Sequence, residues 1–284
     1  MEYSLQVEHL CKSYGSFALQ DVNFSLPKGS VMGFIGENGA GKTTVIKCIL
    51  GMVRKDSGNI KLFGQEQRGD MLDAKQDIGV VFDGSNFHDP MRATDIAAMM
   101  EKIYRNWDNT LFEKYLYQFQ IPSHKLFKEF SRGMKMKLSI ATAISHHPKL
   151  LILDEATSGL DPIVRDEILD VFFELIQDEE HSILMSSHIT SDLQKIADYI
   201  TFIHNGRILL SEEKDLMLEN YRILKCSRSQ ATKIAKKDII RRRENEFGCE
   251  FLMKTECAAR YREYLSEQPS LEDIMLFYVK GELV

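Results

Sequence analysis

The chain has 284 residues, 44% of them hydrophobic and 27% charged, with a formal net charge of −6. That length supports one or two domains with a substantial core, and the charge balance gives no general reason to expect a nucleic-acid partner. No apolar run approaches the roughly 20 residues that cross a bilayer, and Met1-Glu2-Tyr3-Ser4-Leu5-Gln6 lacks a basic stretch followed by an apolar one, so a cytoplasmic location is expected.

Tyr3-Ser4-Leu5-Gln6-Val7 alternates as a half-buried strand does, and Val22-Asn23-Phe24-Ser25-Leu26 repeats the pattern before a turn at Pro27-Lys28-Gly29. The apolar run from Val31 to Ile35 then enters Gly36-Glu37-Asn38-Gly39-Ala40-Gly41-Lys42-Thr43-Thr44, followed by a helix-compatible stretch from Val45 to Leu50. This is a phosphate-binding loop in its strand-loop-helix setting. Its glycines let successive backbone N–H groups face a polyphosphate, and the helix adds the positive end of its dipole. Gly36, Asn38, Gly39, Gly41, Lys42, Thr43 and Thr44 are the expected nucleotide contacts. Lys42 is suited to the β- and γ-phosphates, and the Thr43 hydroxyl to Mg²⁺.

A strand follows at Asn59 to Phe63, and Ile78 to Phe82 is a short apolar run of the buried parallel type. From about Thr94 to Ser145 the period becomes helical, as in Ile96, Met99, Met100 and Ile103, then Leu111, Phe112, Tyr115, Leu116 and Phe119. Strand-like runs resume at Leu150 to Leu153 and Ser182 to Ser186, with an amphipathic stretch from about Ile163 to Ile176 between them. Ile200 to Ile203 and Arg207 to Leu210 read as a hairpin turning at Asn205-Gly206. Strands alternating with helices predict an α/β fold with a mainly parallel sheet. Residues 211–284 are expected to form a small appended α/β domain, with a strand near Tyr221 to Leu224 and a last helix near Leu271 to Val279.

Between Arg222 and Arg243 lie nine basic residues against one acid, Asp238. A solvated helix face is the expected explanation, with docking to an acidic surface as the alternative. Cys11, Cys48, Cys226, Cys249 and Cys257 include no CxxC pair and are odd in number, which favours reduced structural thiols over a disulfide framework or zinc site.

The apolar strand Leu150-Leu151-Ile152-Leu153 ends in Asp154-Glu155, where an open α/β sheet places its ligands. Downstream of a phosphate loop, Asp154 is suited to hold Mg²⁺, and Glu155 to polarise the water that attacks a γ-phosphate. With this pair in view, residues 3–210 or so resemble the ATP-binding subunit of an ABC transporter.

The resemblance implies a P-loop ATPase core with a mainly parallel sheet, an antiparallel β-rich N-terminal part and a helical subdomain at about 84–145. It places the ATPase domain at 1–210 and a C-terminal accessory or dimerisation domain at 211–284. Tyr14 in Lys12-Ser13-Tyr14-Gly15 matches the aromatic that stacks on adenine, and His188 after Ser187 matches the switch histidine, expected to be catalytic together with Glu155 and Lys42. Phe130-Ser131-Arg132-Gly133-Met134 stands where the family has LSGGQ, and Ser158-Gly159-Leu160-Asp161 matches the D-loop. Ser131, Gly133 and Asp161 are therefore expected at the nucleotide. Arg132 departs from the first glycine of that signature and Met134 from its glutamine. Asp83 replaces the usual glutamine after Ile78 to Phe82, and as a carboxylate it accepts hydrogen bonds without donating any. It is expected near the nucleotide, touching Mg²⁺ through water.

Asp83, the altered signature and the ending Pro269 to Tyr278 look like type-2 exporter ATPases, those of bacitracin-resistance and antimicrobial-peptide exporters above all. This branch implies ATP and Mg²⁺ as cofactors and a separate integral membrane permease. It also implies a second ATPase chain, either a copy or a relative, and a peripheral position on the cytoplasmic face of the cell membrane. An ABC importer ATPase is the nearest rival, and a soluble ABC protein acting on ribosomes or nucleic acid a second.

Overall fold

Alternation along β1 (Tyr3–Tyr14) buries Leu5, Val7 and Leu10 on one face. Those residues meet the apolar side of β2 (Phe17–Pro27), which pairs antiparallel with β1 across Gly15-Ser16. The computed structural model describes residues 2–67, 71–84 and 87–283. Two compact units divide the chain, Met1–Ile208 and Leu209–Val284.

In the first unit, β3 (Val31–Ile35) is buried along its whole length and leads through the glycine loop into α1 (Lys42–Ile49). β4 (Ser57–Leu62) and β5 (Gln65–Glu66) complete an antiparallel sheet in the order β2-β1-β4-β5. After α2 (Leu72–Gln76) and β6 (Ile78–Val81), the helical insertion resolves into α3 (Ala93–Ile103), α4 (Asn109–Gln118) and α5 (Arg132–Ile144). The chain continues as β7 (Leu150–Asp154), α6 (Pro162–Ile176), β8 (Ser182–Ser187), α7 (Thr190–Ile196), β9 (Tyr199–His204) and β10 (Arg207–Glu213).

The second sheet runs β10-β9-β3-β8-β7-β6, and β9, β3, β8, β7 and β6 are parallel neighbour to neighbour. Both sheets share one core, in which Phe24 lies 5.2 Å from Phe34 ring to ring and Leu5, Val45, Ile152 and Leu184 are fully buried. In the parallel register Ile35 stands opposite Ser187, and Asp154 opposite Ser186. The chain segments that leave the sheet after β3, β7 and β8 therefore begin side by side.

The second unit comprises α8 (Lys214–Asn220), β11 (Tyr221–Cys226), α9 (Arg228–Ala231), β12 (Arg241–Asn245), β13 (Gly248–Lys254), α10 (Thr255–Ala258), β14 (Leu265–Glu267) and α11 (Leu271–Lys280). Its antiparallel sheet, ordered β12-β13-β11-β14, has its own core of Leu224, Ile234, Cys249, Phe251, Met253 and Ala258.

The basic segment 222–243 is not one solvated helix face, as the charge run suggested. It passes through two strands, a one-turn α-helix and a 3₁₀ turn at Lys236–Asp238. Alternation along β12 puts Arg241 and Arg243 over the rings of Tyr278 and Phe277, at 5.1 and 5.3 Å, while Arg242 pairs with Glu244 at 3.2 Å. Glu244 also takes Arg228, and Lys225 takes Glu267. Among the described residues no helix is long and apolar enough to cross a membrane.

Candidate functional site

Gly41 shows why the loop after β3 demands glycine. Its φ is +113°, and a Cβ there would stand 2.8 Å from both Phe17 and Leu19. The loop is seated on the β9–β10 turn, where the Gly206 N–H donates to the Ala40 carbonyl at 3.0 Å. Gly206 in turn accepts from the Gln20 N–H at 2.8 Å, tying the loop to β2.

Lys42, the first residue of α1, points its ammonium back across the loop. It donates to the carbonyls of Gly36 at 2.6 Å and Glu37 at 3.3 Å and stands 3.0 Å from Glu155 Oε1. Thr43 Oγ1 donates to Asp154 Oδ2 at 2.8 Å. The other oxygen of Asp154 accepts from Ser186 Oγ at 2.6 Å, and the N–H of Glu155 reaches the same hydroxyl at 3.2 Å. Ser186 thus orients both acidic residues.

Glu155 itself has φ +55°, a left-handed conformation that carries strain in a non-glycine residue. This kink after β7 turns its side chain toward His188, whose Nδ1–H donates to Oε2 at 2.7 Å. A cavity of about 410 Å³ opens beside these groups, lined by Asn38, Gly39, Gly41, Lys42, Thr43, Thr44 and Glu155 among the expected residues, and by Phe17. A cavity of about 440 Å³ beside Tyr3, Lys28, Phe63 and Lys149 holds none of the residues with this chemistry.

Tyr14 is not among the lining residues. It stands 46% exposed at the end of β1, with Lys12 Nζ 5.3 Å from its ring centre. Phe17, its register partner across the hairpin, faces the loop instead. Asp83, Ser131, Gly133 and Asp161 form a second group. Ser131 N-caps α5, its Oγ accepting from Met134 N at 3.2 Å, and Asp161 N-caps α6, accepting from Val164 N at 3.1 Å. Gly133 faces Val164, and Asp83 pairs with Arg132 at 2.9 Å.

Sequence reasoning missed Phe17 and Ser186. The one available signal was position: Phe17 opens the strand after the Tyr14 turn, and Ser186 ends the strand that precedes His188.

A buried ammonium at the start of a helix that follows a glycine-rich loop suits a polyphosphate, a hydroxyl beside a carboxylate suits a hard cation, and a carboxylate held by an imidazole suits proton abstraction from water. The family profile described as "ABC transporter" matches residues 19–158. The bacitracin transport ATP-binding protein BcrA of Enterococcus faecalis is 34% identical over 212 residues, covering 74% of this chain and 69% of that one. The lantibiotic transport ATP-binding protein SrtF of Streptococcus pyogenes is 37% identical over 215 residues, covering 74% of this chain and 91% of that one. A solved ATP-binding subunit of an ABC transporter superposes with a TM-score of 0.68 at 26% identity, over 74% of this chain and 90% of that one. The strand-ordered loop, acidic pair and histidine therefore have a family: the chain belongs to the ABC transporters, as an ATP-binding subunit that hydrolyses ATP.

Proposed function

We propose that this chain powers export of an amphipathic peptide, an antibiotic or a lipid-like compound through a separate membrane permease, from the cytoplasmic face of the membrane. The geometric observation that carries the ATPase half is Glu155, gripped by Lys42 and His188 at the mouth of the phosphate loop. The export half is supported by similarity to proteins named for bacitracin and lantibiotic transport.

In this reading the loop N–H groups and Lys42 bind the phosphates, and Glu155 takes a proton from the attacking water while His188 orients it. Thr43 and Asp154 offer two hard oxygens, and no group of three or more His, Cys, Asp or Glu suited to a metal is found among the described residues. That small donor set fits Mg²⁺, which keeps water and phosphate oxygens as its other ligands. Mg²⁺ supplies charge neutralisation at the β- and γ-phosphates.

Ser131 and Gly133, at the start of the 13-residue α5, serve the ATP of a second chain, with Asp161 near the junction. Residues 211–284 act as an accessory domain that supports this dimer. A groove of about 270 Å³ between α3 and α4, bordered by Ala97, Phe112, Leu116 and Ile121, is the proposed seat of the permease.

Light scattering on Glu155→Gln tests the two-chain site. Mg-ATP, and not Mg-ADP, is expected to convert it to a dimer, because bound γ-phosphate bridges loop and signature while hydrolysis is blocked. A monomer at saturating Mg-ATP, with and without the permease, would remove the two-chain site.

A further inference from the structure

Two of the residues that depart from the family pattern, Asp83 and Arg132, are bound to each other. Arg132 Nη2 donates to Asp83 Oδ1 at 2.9 Å across 49 positions of sequence. The guanidinium also lies against Gly159 of the D-loop. A Cβ at Gly159 would stand 2.7 Å from Nη1 and 2.9 Å from Cζ, and Gly159 has φ +66°. A bare backbone is therefore required beneath the arginine. One residue further on, Gly133 leaves room for Val164 of α6, which a Cβ would approach to 3.3 Å. One side chain thus joins the segment after β6, the start of α5 and the loop that begins at Glu155.

The charges explain why the two departures occur together. A cation in the first turn of a helix opposes the helix dipole, and the Asp83 carboxylate offsets it. Both side chains are about half exposed, at 56% for Arg132 and 50% for Asp83, so the pair contributes little to stability. What it sets is position.

We infer that Asp83 and Arg132 act as one latch that fixes the start of α5 to the loops after β6 and β7, making Asp83 a positioning residue rather than a metal ligand. The inference rests on the two-chain reading, because what the latch positions is the Ser131–Gly133 contact with the partner chain's ATP. A carboxylate already committed to a guanidinium is a poor Mg²⁺ ligand, and Asp83 does not line the cavity beside Lys42.

Steady-state ATPase of the full chain, measured against both ATP and Mg²⁺, tests the latch with Asp83→Ala, Arg132→Ala and the double variant. Each single change is expected to lower kcat roughly 10-fold through misplacement of the phosphate contact, with a smaller change in KM. The double variant should fall no further, and the Mg²⁺ midpoint should match that of the unaltered chain in all three. Losses that multiply in the double variant, or a Mg²⁺ midpoint that rises only when Asp83 is removed, would overturn the latch and return Asp83 to the metal. The Glu155→Gln chain is run alongside. If it dimerises with Mg-ATP while the losses multiply, the latch alone fails; if it stays monomeric, the two-chain reading fails and the latch with it.

Discussion

Lys42 Nζ stands 3.0 Å from Oε1 of Glu155, and both side chains are nearly closed to solvent, at 5% and 15% exposure. The contact is a charge pair without an aligned hydrogen bond, since that carboxylate oxygen has no hydrogen-bond partner. In the proposed function the group that anchors phosphate and the group that activates water therefore face each other, and a γ-phosphate is expected to draw Lys42 away before Glu155 acts as a base. Glu155→Gln removes the competing charge while still accepting a hydrogen bond. Turnover should drop by roughly 10²- to 10⁴-fold, with ATP affinity retained or increased. Lys42→Ala should instead weaken ATP binding by about 1.5–3 kcal/mol, the range for a hydrogen bond to a charged group. Calorimetric titration with ATP and single-turnover hydrolysis separate the two effects; equal losses of affinity and rate in Glu155→Gln would contradict the assignment.

Phe17 and Tyr14 can be separated in the same way. Stacking on a base contributes roughly 1–3 kcal/mol by alanine substitution. Because Phe17 lines the cavity and Tyr14 does not, Phe17→Ala is expected to weaken ATP binding more than Tyr14→Ala. A fluorescent adenine nucleotide titrated into each variant measures this directly. The reverse order would place the adenine on Tyr14, as the sequence pattern implied.

The parts of this molecule legible in the sequence are those where one local segment carries its own reason. The glycine loop, the acidic pair after an apolar strand and the Asn205-Gly206 turn, with φ of +47° and +74°, all lie in the expected setting. Ser186 was not legible, because facing Asp154 depends on the register between β7 and β8. Nor was the Asp83–Arg132 pair, which exists only once α5 packs against two loops distant in sequence. In the second unit, β12 reads Arg-Arg-Arg-Glu-Asn and has no apolar alternation to find. Its Arg241 and Arg243 guanidinium groups lie over aromatic rings, Arg242 pairs with Glu244 of the same strand, and Arg243 stands opposite Glu250 in the register with β13.

Ser186→Ala tests the support beneath the acidic pair. Removing the hydroxyl leaves one oxygen of Asp154 and a contact of the Glu155 N–H unmet in a fully buried position. Loss of a partner that orients a metal-binding carboxylate typically costs about 10- to 100-fold in metal affinity or activity. The Mg²⁺ concentration for half-maximal ATPase should rise accordingly, with Ser186→Thr recovering part of it because the hydroxyl returns. An unchanged Mg²⁺ midpoint in Ser186→Ala would separate Asp154 from the metal.

His146 gives the fold a pH dependence of known sign. It follows α5 with 1% exposure, its ring stacked on Tyr104 at 3.8 Å. Its Nε2–H donates to the Ile78 carbonyl at 3.2 Å, leaving Nδ1 unpartnered. Burial pushes its pKa down to about 4 from 6.5, only partly offset by the Ile78 and Thr142 carbonyls. The unfolded chain therefore binds the extra proton between those two values. The resulting stability is fully present above pH 6.5 and is lost as pH falls toward 4. Between pH 6.5 and 5 the loss should be roughly 1.5 kcal/mol, because the slope reaches 1.36 kcal/mol per pH unit only once the unfolded imidazole is mostly protonated. Urea denaturation at a series of pH values measures it. His146→Gln, which keeps a donor for the Ile78 carbonyl and does not titrate, should flatten the curve in that window. An equally steep loss in His146→Gln would assign the pH dependence to other groups.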